Sequence, residues 1–429
     1  MPAVSVSEAN AMKEGETSVQ PYARALRPGD IDLSDPQTFV AGVPHDYFYL
    51  LREQDPVHWQ QECEIPAFAP GPGFFALTRY EDVTFVSKHP EIFSSAAGSS
   101  ALNELRPGER RLAREQLIQM DPPDHSELRN LMNVQFKPRA VQETEAHMRK
   151  IVCETLDRLA LRSQCDFVGD VSAPISLRIL TNFLGVPDAY TARFYRWTNE
   201  TMRFGEPGSF NLLRARAALL QIFVQSALLA RKRRKRPAAD VFSRLVNGEF
   251  RGAPLTRMMT QVNFFLLIIA GNETTRNALS GGLQALCEHP EQFERLRRAP
   301  SLLPQAVEEM LRWVSPVMQF RRTALCDTKI GDRKIRAGDK VVMYYGAANR
   351  DPRVFDDPES FDISRKPNPH LAFGVGTHFC MGSHIARLEM RVTLEEFLRR
   401  FPNVGLAGPP ERLQSNFISG IKRLAVNLQ

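Results

Sequence analysis

The chain has 429 residues, of which 43% are hydrophobic and 24% are charged, and its 55 Lys and Arg exceed its 49 Asp and Glu by 6. This composition is that of a globular protein with a substantial core, which excludes a disordered or fibrous chain. A small positive surplus spread along the chain does not favour nucleic acid binding. It fits a surface that docks an acidic protein.

The N-terminal segment, residues 1–25, is polar and is predicted to form a mobile tail. It has no basic stretch followed by an apolar one, so neither a signal peptide nor a membrane anchor is expected. The cysteines include no C-x-x-C pair, and therefore neither a disulfide framework nor a zinc site is predicted. We expect a cytoplasmic protein that makes no membrane contact.

Elements predicted in chain order are a short helix over 43–56 and a strand leading into a helix over 71–83. Helical periodicity then dominates to about residue 311, with helices over 139–161, 192–204 and 212–234. Short β segments follow at 321–327 and 333–346, then a Pro/Asp-rich coil, a helix over 382–400 and a β-like tail. No repeat or linker divides these parts. The prediction is one domain over 26–429, mainly α with a smaller β-rich part.

A basic run from Arg231 to Arg236 ends the helix predicted over 212–234 and precedes Pro237. Cations at a helix C-terminus complement the helix dipole. A solvated helix end is therefore favoured over a contact with a partner or with lipid.

The segment FGVGTHFCMG, residues 373–382, places one cysteine where a loop meets a helix N-terminus. Backbone N–H groups and the helix dipole stabilise a thiolate there. The glycines permit a close approach of backbone to a flat ligand, and Phe373 can cover the sulfur. A buried cysteine in a glycine-rich turn is the alternative, but F-G-x-G-x-H-x-C-x-G fixes six residue types in ten positions. This loop resembles the haem-binding loop of the cytochrome P450 family.

The resemblance runs from about Ile31 to Leu428 and is to bacterial soluble members that oxidise steroids, terpenoids and branched fatty acids. It implies the single-domain cytochrome P450 fold and haem b, iron protoporphyrin IX, with the thiolate of Cys380 as axial ligand. Phe373, His378 and Gly382 would then lie against the haem.

Further upstream, EEMLRW supplies Glu309 and Arg312, and their spacing of three puts both side chains on one helix face. For E-x-x-R alone, a surface pair is the usual interpretation. The resemblance implies a buried network with Arg365, whose role is structural because it holds the loop that presents Cys380.

The segment VNFFLLIIAGNETTRNALSGG is predicted to be a long, largely buried helix whose apolar surface is interrupted by polar residues. Such an interruption costs stability unless it serves a purpose. The resemblance implies that Ala270 and Gly271 open a groove for dioxygen over the haem. Thr274 would hydrogen-bond the bound dioxygen, and Glu273 would relay protons. A helix kinked at glycine with satisfied hydroxyls is the alternative.

In MDPPDHSELR, His125 and Arg129 fall four apart on one face of a predicted helix. The resemblance implies that this face meets the haem propionates, together with Arg322 and His378, since cationic donors suit carboxylates. A surface pair is the alternative for H-x-x-x-R alone. Arg321 is the alternative to Arg322, and the family's R-T-A pattern selects Arg322.

The resemblance also implies a substrate pocket with an apolar lining that includes Phe264, Leu267, Val317, Met318 and Ile418. An apolar lining predicts a hydrophobic substrate, which is terpenoid-, steroid- or fatty-acid-like. The implied reaction inserts one oxygen atom of O2 into a C–H bond of that substrate.

The chain carries no flavin motif and no cluster of ferredoxin cysteines. We therefore expect a monomer that receives electrons from NAD(P)H through a separate ferredoxin and ferredoxin reductase. Lys137, Arg139, His384 and Arg387 are candidates for the docking face. A peroxide-driven variant and a non-catalytic haem sensor or carrier are the alternatives. The pair Glu273 and Thr274 argues against both, because neither needs proton delivery to bound oxygen.

Overall fold

A computed structural model describes residues 26–64, 71–105, 107–202 and 209–428, so the predicted tail, residues 1–25, lies outside the described residues. Helices dominate the described chain. They are α1 (His45–Gln54), α2 (Tyr80–Lys88), α3 (Pro107–Ala113), α4 (Asp124–Met132), α5 (Pro138–Gln142), α6 (Glu145–Asp157), α7 (Ala173–Leu184), α8 (Asp188–Met202), α9 (Ser209–Lys235), α10 (Val241–Asn247), α11 (Arg257–Glu288), α12 (Pro290–Arg298), α13 (Leu303–Val314), α14 (Tyr345–Ala348) and α15 (Ser383–Arg400).

The β-rich part is small. Its strands are β1 (Val57–Gln60), β2 (Phe74–Leu77), β3 (Phe93–Ser94), β4 (Gln164–Asp166), β5 (Glu249–Phe250), β6 (Ala253–Pro254), β7 (Gln319–Ala324), β8 (Thr328–Ile330), β9 (Arg333–Ile335), β10 (Lys340–Tyr344), β11 (Gly405–Leu406), β12 (Glu411–Arg412), β13 (Ile421–Arg423) and β14 (Ala425–Asn427). One mixed sheet has the order β1-β2-β10-β7-β3, in which β2 and β10 are parallel and the other pairs are antiparallel.

The helix α11 is the central element, 32 residues long, which corresponds to about 48 Å. Its N-terminus is capped by Thr256, whose side chain accepts a hydrogen bond from the backbone N–H of Met259 at 3.0 Å. Such a cap satisfies one of the amide groups that a helix start leaves unpaired. The helix packs against α7, α9, α13 and α15. Because most of its faces are covered, its sequence is apolar on nearly every side.

The segment 139–161 was predicted to be one helix, but it forms α5 and α6 with a break between them. At the break, the Thr144 hydroxyl donates a hydrogen bond to the backbone oxygen of Val141 at 2.6 Å. Threonine side chains that bond the local backbone compete with helical hydrogen bonds. The other predicted helices and the β segments after Pro316 are confirmed.

One described helix, α9, includes a segment that is long and apolar enough to cross a membrane, Leu213–Lys235, with a mean hydropathy of 1.3. On one side α9 packs against α8, α10 and α11. It is therefore an outer helix of this fold, and only 33% of its apolar window is buried.

Candidate active site

A cavity that opens partly to solvent lies between one face of α11 and the loop that contains Cys380. The rest of its wall is formed by residues in or next to helices α4, α7, α13 and α15 and strand β7. The lining is mostly apolar, with a few polar groups at defined places. This is the usual character of a small-molecule site.

The loop that carries Cys380 is held by its backbone. The Cys380 N–H donates a hydrogen bond to the Phe373 oxygen at 2.8 Å. Gly374 and Gly376 have φ values of 68° and 74°, in the left-handed region that favours glycine. A Cβ atom on Gly376 would lie 2.6 Å from the Ser87 oxygen at the end of α2, so this glycine also permits a close backbone contact.

Burial raises the pKa of the Cys380 thiol, although the Gly382 amide and the guanidinium groups of Arg129 and Arg387 lower it. The Gly382 amide at the helix N-terminus favours the thiolate, as expected, but desolvation opposes it more strongly. A metal cation on the sulfur would reverse this balance, since a coordinating thiol is deprotonated. The buried thiol thus fits the iron of a haem.

Cationic and imidazole side chains gather at one edge of the cavity. The rings of His125 and His378 lie 4.2 Å apart between centroids. Both ring nitrogens of His125 are buried without a hydrogen-bond partner. Burial, together with the charges of Arg129 and Arg322, lowers the pKa of His125 to about 4, although Asp121 opposes the shift. The unpaired ring nitrogens of His125, beside the arginines at this edge, are therefore suited to bind the two carboxylates of a haem.

The structure distinguishes the two neighbouring arginines on β7. Arg322 lines the cavity, and its guanidinium donates to the Arg321 backbone oxygen at 2.8 Å. It forms no ion pair with any described carboxylate, whereas Arg321 pairs with Glu104 at 3.1 Å. Arg322 is therefore the one that can meet an anionic group in the cavity.

From α11, the residues Ala270, Gly271, Thr274 and Thr275 line the same cavity as Cys380. The Thr274 hydroxyl donates to the Ala270 oxygen at 2.6 Å. A Cβ atom on Gly271 would lie 2.7 Å from a methyl carbon of Leu180 on α7. The absence of a side chain at Gly271 therefore lets α7 pack closely against α11.

Glu273 is buried beside the cavity but is absent from its wall. Its carboxylate accepts hydrogen bonds from Arg276 and, at 3.3 Å, from Asn272. Arg276 in turn donates to Asn199 on α8 at 3.2 Å. Burial raises the pKa of Glu273, and Arg276 opposes that shift. The carboxylate thus lies between the cavity and α8, and it is not in contact with a ligand in the cavity.

The Glu-x-x-Arg pair is fully buried. The Arg312 Nε and Nη2 atoms donate to the Glu309 carboxylate at 2.8 Å each, and the Arg365 Nε donates to it at 3.2 Å. The other Arg312 N–H groups donate to backbone oxygens of the following coil, those of Asn349, Pro358 and Ser360. The predicted three-residue network therefore exists, and it fastens α13 to the coil before the cysteine loop.

The sequence interpretation missed a second network on the Cys380 side. Glu308 accepts hydrogen bonds from Arg387 at 2.6 and 2.8 Å, and its carboxylate lies 3.0 Å from the His370 Nε2. The Arg387 guanidinium lies 4.4 Å from the centre of the Phe373 ring. Arg387, predicted as a docking residue, is therefore held within the protein by Glu308 and Phe373. The additional acidic residue in EEMLRW, Glu308, was the sequence feature from which this network could have been anticipated.

Two of the five predicted pocket residues, Leu267 and Val317, line the cavity, and the other three do not. Phe264 lies about 10 Å along the helix axis from Gly271, and there it packs on Phe242 in the core. Met318 belongs to a separate core cluster, because neighbouring residues in extended backbone point to opposite sides.

The remaining prediction, Ile418, is also corrected. It pairs with Val317 through an isolated β-bridge and lies behind that residue. Cavity residues that the sequence interpretation missed come from distant segments, and these include Phe136, Ile179, Leu180 and Tyr345. No local motif marks them, because packing between elements brings them together.

Comparisons with known proteins agree with this geometry. The sequence model of the family "Cytochrome P450" matches residues 211–404. The methyl-branched lipid omega-hydroxylase of Mycobacterium tuberculosis is 39% identical over 389 residues, 88% of this chain and 90% of that protein. The linalool 8-monooxygenase of Pseudomonas putida is 35% identical over 405 residues, 92% of this chain and 98% of that protein.

Among solved structures, the cytochrome P450 CYP268A2 of Mycobacterium marinum in complex with pseudoionone superposes with a TM-score of 0.87. It is 36% identical, and the match covers 94% of this chain and 100% of that one. The predicted fold, mainly α with a smaller β-rich part, is confirmed. The chain belongs to the cytochrome P450 family, and it is a monooxygenase that uses haem with a cysteine thiolate ligand and O2.

Proposed function

We propose that this enzyme hydroxylates a terpenoid-, steroid- or fatty-acid-like substrate, with Cys380 as the haem ligand. The observation that carries the proposal is one mostly apolar cavity whose lining includes both Cys380 and, from α11, Ala270, Gly271 and Thr274. Relatives that act on a methyl-branched lipid and on linalool, and a related structure that holds pseudoionone, support a hydrophobic substrate.

Each group around the cavity has a distinct part in the proposal. When bound, haem supplies dioxygen activation and transfer of one oxygen atom. The sulfur of Cys380 holds the iron, while Phe373 excludes water from the sulfur and Gly382 allows close approach at the start of α15. His125, Arg129, Arg322 and His378 hold the propionates.

Proton delivery in this proposal uses α11. The Thr274 hydroxyl keeps a proton at the cavity wall, next to the small residues Ala270 and Gly271. Glu273 lies behind that wall and would relay protons, since burial raises its pKa while Arg276 opposes the shift. Arg276 and Asn199 connect Glu273 toward α8. Glu309, Arg312 and Arg365 act only by holding the coil.

We also propose that a ferredoxin, reduced from NAD(P)H by a ferredoxin reductase, delivers electrons on the Cys380 side. There, Phe379 is exposed next to the cysteine, and Lys137 and Arg139 are exposed on and beside α5, which packs against α15. The protein would act as a cytoplasmic monomer with one domain over 26–429. A solved relative that is matched over its whole length supports a soluble enzyme.

The ligand assignment is tested by the spectrum of the reduced protein with carbon monoxide. We expect the long-wavelength Soret band of a thiolate-ligated haem, and we expect Cys380→His to abolish it. Cys326→Ser changes an exposed cysteine and should leave the band unchanged. A wild-type spectrum typical of histidine-ligated haem would refute the assignment.

The substrate class is tested by spin-state titration with steroids, terpenoids, fatty acids and alkylaromatic compounds. Burial of apolar ligand surface contributes roughly 25 cal/mol per Å², so multi-ring or isoprenoid compounds should bind in the micromolar range without an ion pair. Arg203, a possible carboxylate partner at the pocket mouth, lies outside the described residues. Tight binding of small polar compounds only would contradict the proposal.

A further inference from the structure

The outward side of α9 carries a line of exposed aliphatic side chains, with exposed Arg214, Arg216 and Gln221 beside it. Leu213, Leu220, Val224 and Leu228 have 63%, 63%, 53% and 52% of their surface exposed. Their spacings of seven, four and four residues place them on one side of the helix. Together they form a continuous stripe about 22 Å long. A large exposed apolar patch of this kind on a folded protein marks an interaction surface.

The same face becomes strongly basic at its C-terminal end. Arg231 and Lys235 continue the stripe, and Lys232 and Arg234 flank it, all four with exposed or half-exposed side chains. None of the four forms an ion pair with a described carboxylate, and the sequence Ser209–Lys235 contains no Asp or Glu. Only Arg233 turns inward, to Asp240 at 2.7 Å. The fold therefore uses one cation of this run and leaves the others facing outward.

A surface hollow lies where the apolar stripe meets the basic run. Leu228 and Leu229 line one part of it, Arg231, Lys232 and Lys235 another, and Tyr190 of α8 contributes as well. No carboxylate contributes to this lining. The hollow thus offers cationic donors to a phosphate and an apolar wall to the hydrocarbon attached to it.

We propose that α9 docks the enzyme on the surface of an anionic phospholipid bilayer. The stripe would lie at the boundary between headgroups and acyl chains, with the helix axis parallel to the membrane, and the basic run would contact lipid phosphates. A helix with an apolar face and Lys or Arg beside it is the usual interfacial element. This inference goes beyond the proposed function and does not depend on which substrate the cavity takes. It replaces two expectations drawn from the sequence, that the protein makes no membrane contact and that the basic run is only a solvated helix end.

The other two possible occupants fit this face less well. A second copy packed on the same face would bring two basic helices together, because α9 has no acidic residue to pair with them. An acidic protein would match the charge. However, the cores of protein interfaces are enriched in aromatic residues, and the four exposed residues of the stripe are only Leu and Val.

Vesicle flotation of the haem-loaded enzyme tests the proposal. We expect the wild type to float with vesicles of phosphatidylcholine and phosphatidylglycerol and to remain unbound with phosphatidylcholine alone. Leu220→Glu with Leu228→Glu should lower the partition coefficient by at least about tenfold. Leu112→Glu with Leu161→Glu changes two exposed leucines outside α9 and is the matched control, which should bind as the wild type does.

The charge contribution is tested separately with Arg231→Gln and Lys235→Gln. Each substitution should weaken binding by about fivefold at low salt, and the difference should shrink as salt is raised. The carbon monoxide spectrum of every variant reports whether it is folded. If the leucine variant fails that check, the charge variants decide the question.

Three results would overturn the proposal. One is equal binding of the wild type to neutral and anionic vesicles, and another is the same loss of binding in the control pair. The third is the absence of vesicle binding together with a dimer, or a complex with an acidic ferredoxin, that Leu220→Glu with Leu228→Glu dissociates.

Discussion

Glu389 on α15 shows how burial sets the protonation of a single side chain. It is 3% exposed, lines the cavity and is hydrogen-bonded to the Ser176 hydroxyl. Burial raises its pKa from 4.5 to about 8, although Ser176 opposes the shift. The folded protein therefore keeps this carboxyl neutral at a pH where the unfolded chain has already ionised it.

This difference predicts a pH-dependent loss of stability. Between about pH 5 and pH 8 the folded state binds one more proton at Glu389 than the unfolded state does, so stability falls as pH rises. In Glu389→Gln the side chain is always neutral, and the Tm of this variant should decline less over that range. Thermal unfolding of the holoenzyme at several pH values measures this. Glu411→Gln removes an exposed carboxylate as the control, and equal slopes for Glu389→Gln and wild type would contradict the argument.

Thr274 gives a second prediction at the residue scale. In Thr274→Ala the hydroxyl that holds a proton at the cavity wall is lost, while the apolar lining remains. Haem content and substrate affinity should stay close to wild type. Product formed per NAD(P)H should fall by about tenfold or more, with hydrogen peroxide accounting for the difference.

Thr274→Ser keeps the hydroxyl and is the control, since it should restore most of the yield of product per NAD(P)H. If Thr274→Ala leaves that yield unchanged, the catalytic alcohol lies elsewhere. Thr275, which also lines the cavity, would then be the next residue to test.

At the level of elements, Arg312 holds α13 to the coil before the cysteine loop, because every N–H group of its guanidinium has a hydrogen-bond partner. All five N–H groups of Arg312 are hydrogen-bonded, two of them to Glu309 and three to backbone oxygens. Lysine has only three donors and cannot replace this geometry. Arg312→Lys should therefore destabilise the fold by about 3–5 kcal/mol and lower the fraction of protein that retains haem.

Chemical unfolding and the ratio of haem to protein absorbance check this prediction. Arg297→Lys on α12 alters an exposed arginine and is the matched control. If Arg312→Lys retained haem and stability as well as the control does, the network would have no structural importance.

Elements were predictable from sequence where a local pattern defines them. The apolar run before Ala270 predicts α11, and the alternating segments after Pro316 predict β7 and β10. The break between α5 and α6 was not predictable from periodicity, since apolar residues continue across it and one threonine hydroxyl decides it.

Site residues were likewise predictable where a local motif contains them and not predictable elsewhere. Cys380, Arg322 and Thr274 lie in motifs, so their place at the cavity could be anticipated. Phe264 and Met318 could not be placed, because an apolar residue looks the same whether it faces a ligand or the core. The correct lining depends on how far along an element each residue lies and on which neighbour covers it.

For the molecule as a whole, charge should govern the encounter with its electron donor. Lys137→Glu with Arg139→Glu should slow reduction by an acidic bacterial ferredoxin by about tenfold at low ionic strength, because steering depends on opposite charges. Stopped-flow rates at increasing salt should converge with those of the wild type. Arg423→Glu, at the exposed end of β13, is the control. Equal slowing in that control would indicate a general charge effect and would reject a local docking face.

The cationic edge of the cavity also affects how this protein is made. Arg322 is buried without a described carboxylate partner, and both ring nitrogens of His125 lack partners. A chain that folds before it acquires its cofactor must enclose a guanidinium charge without a counter-charge, at a cost of several kcal/mol. Haem binding is therefore expected to stabilise the folded chain, and cells that supply more haem should yield more chain that escapes proteolysis.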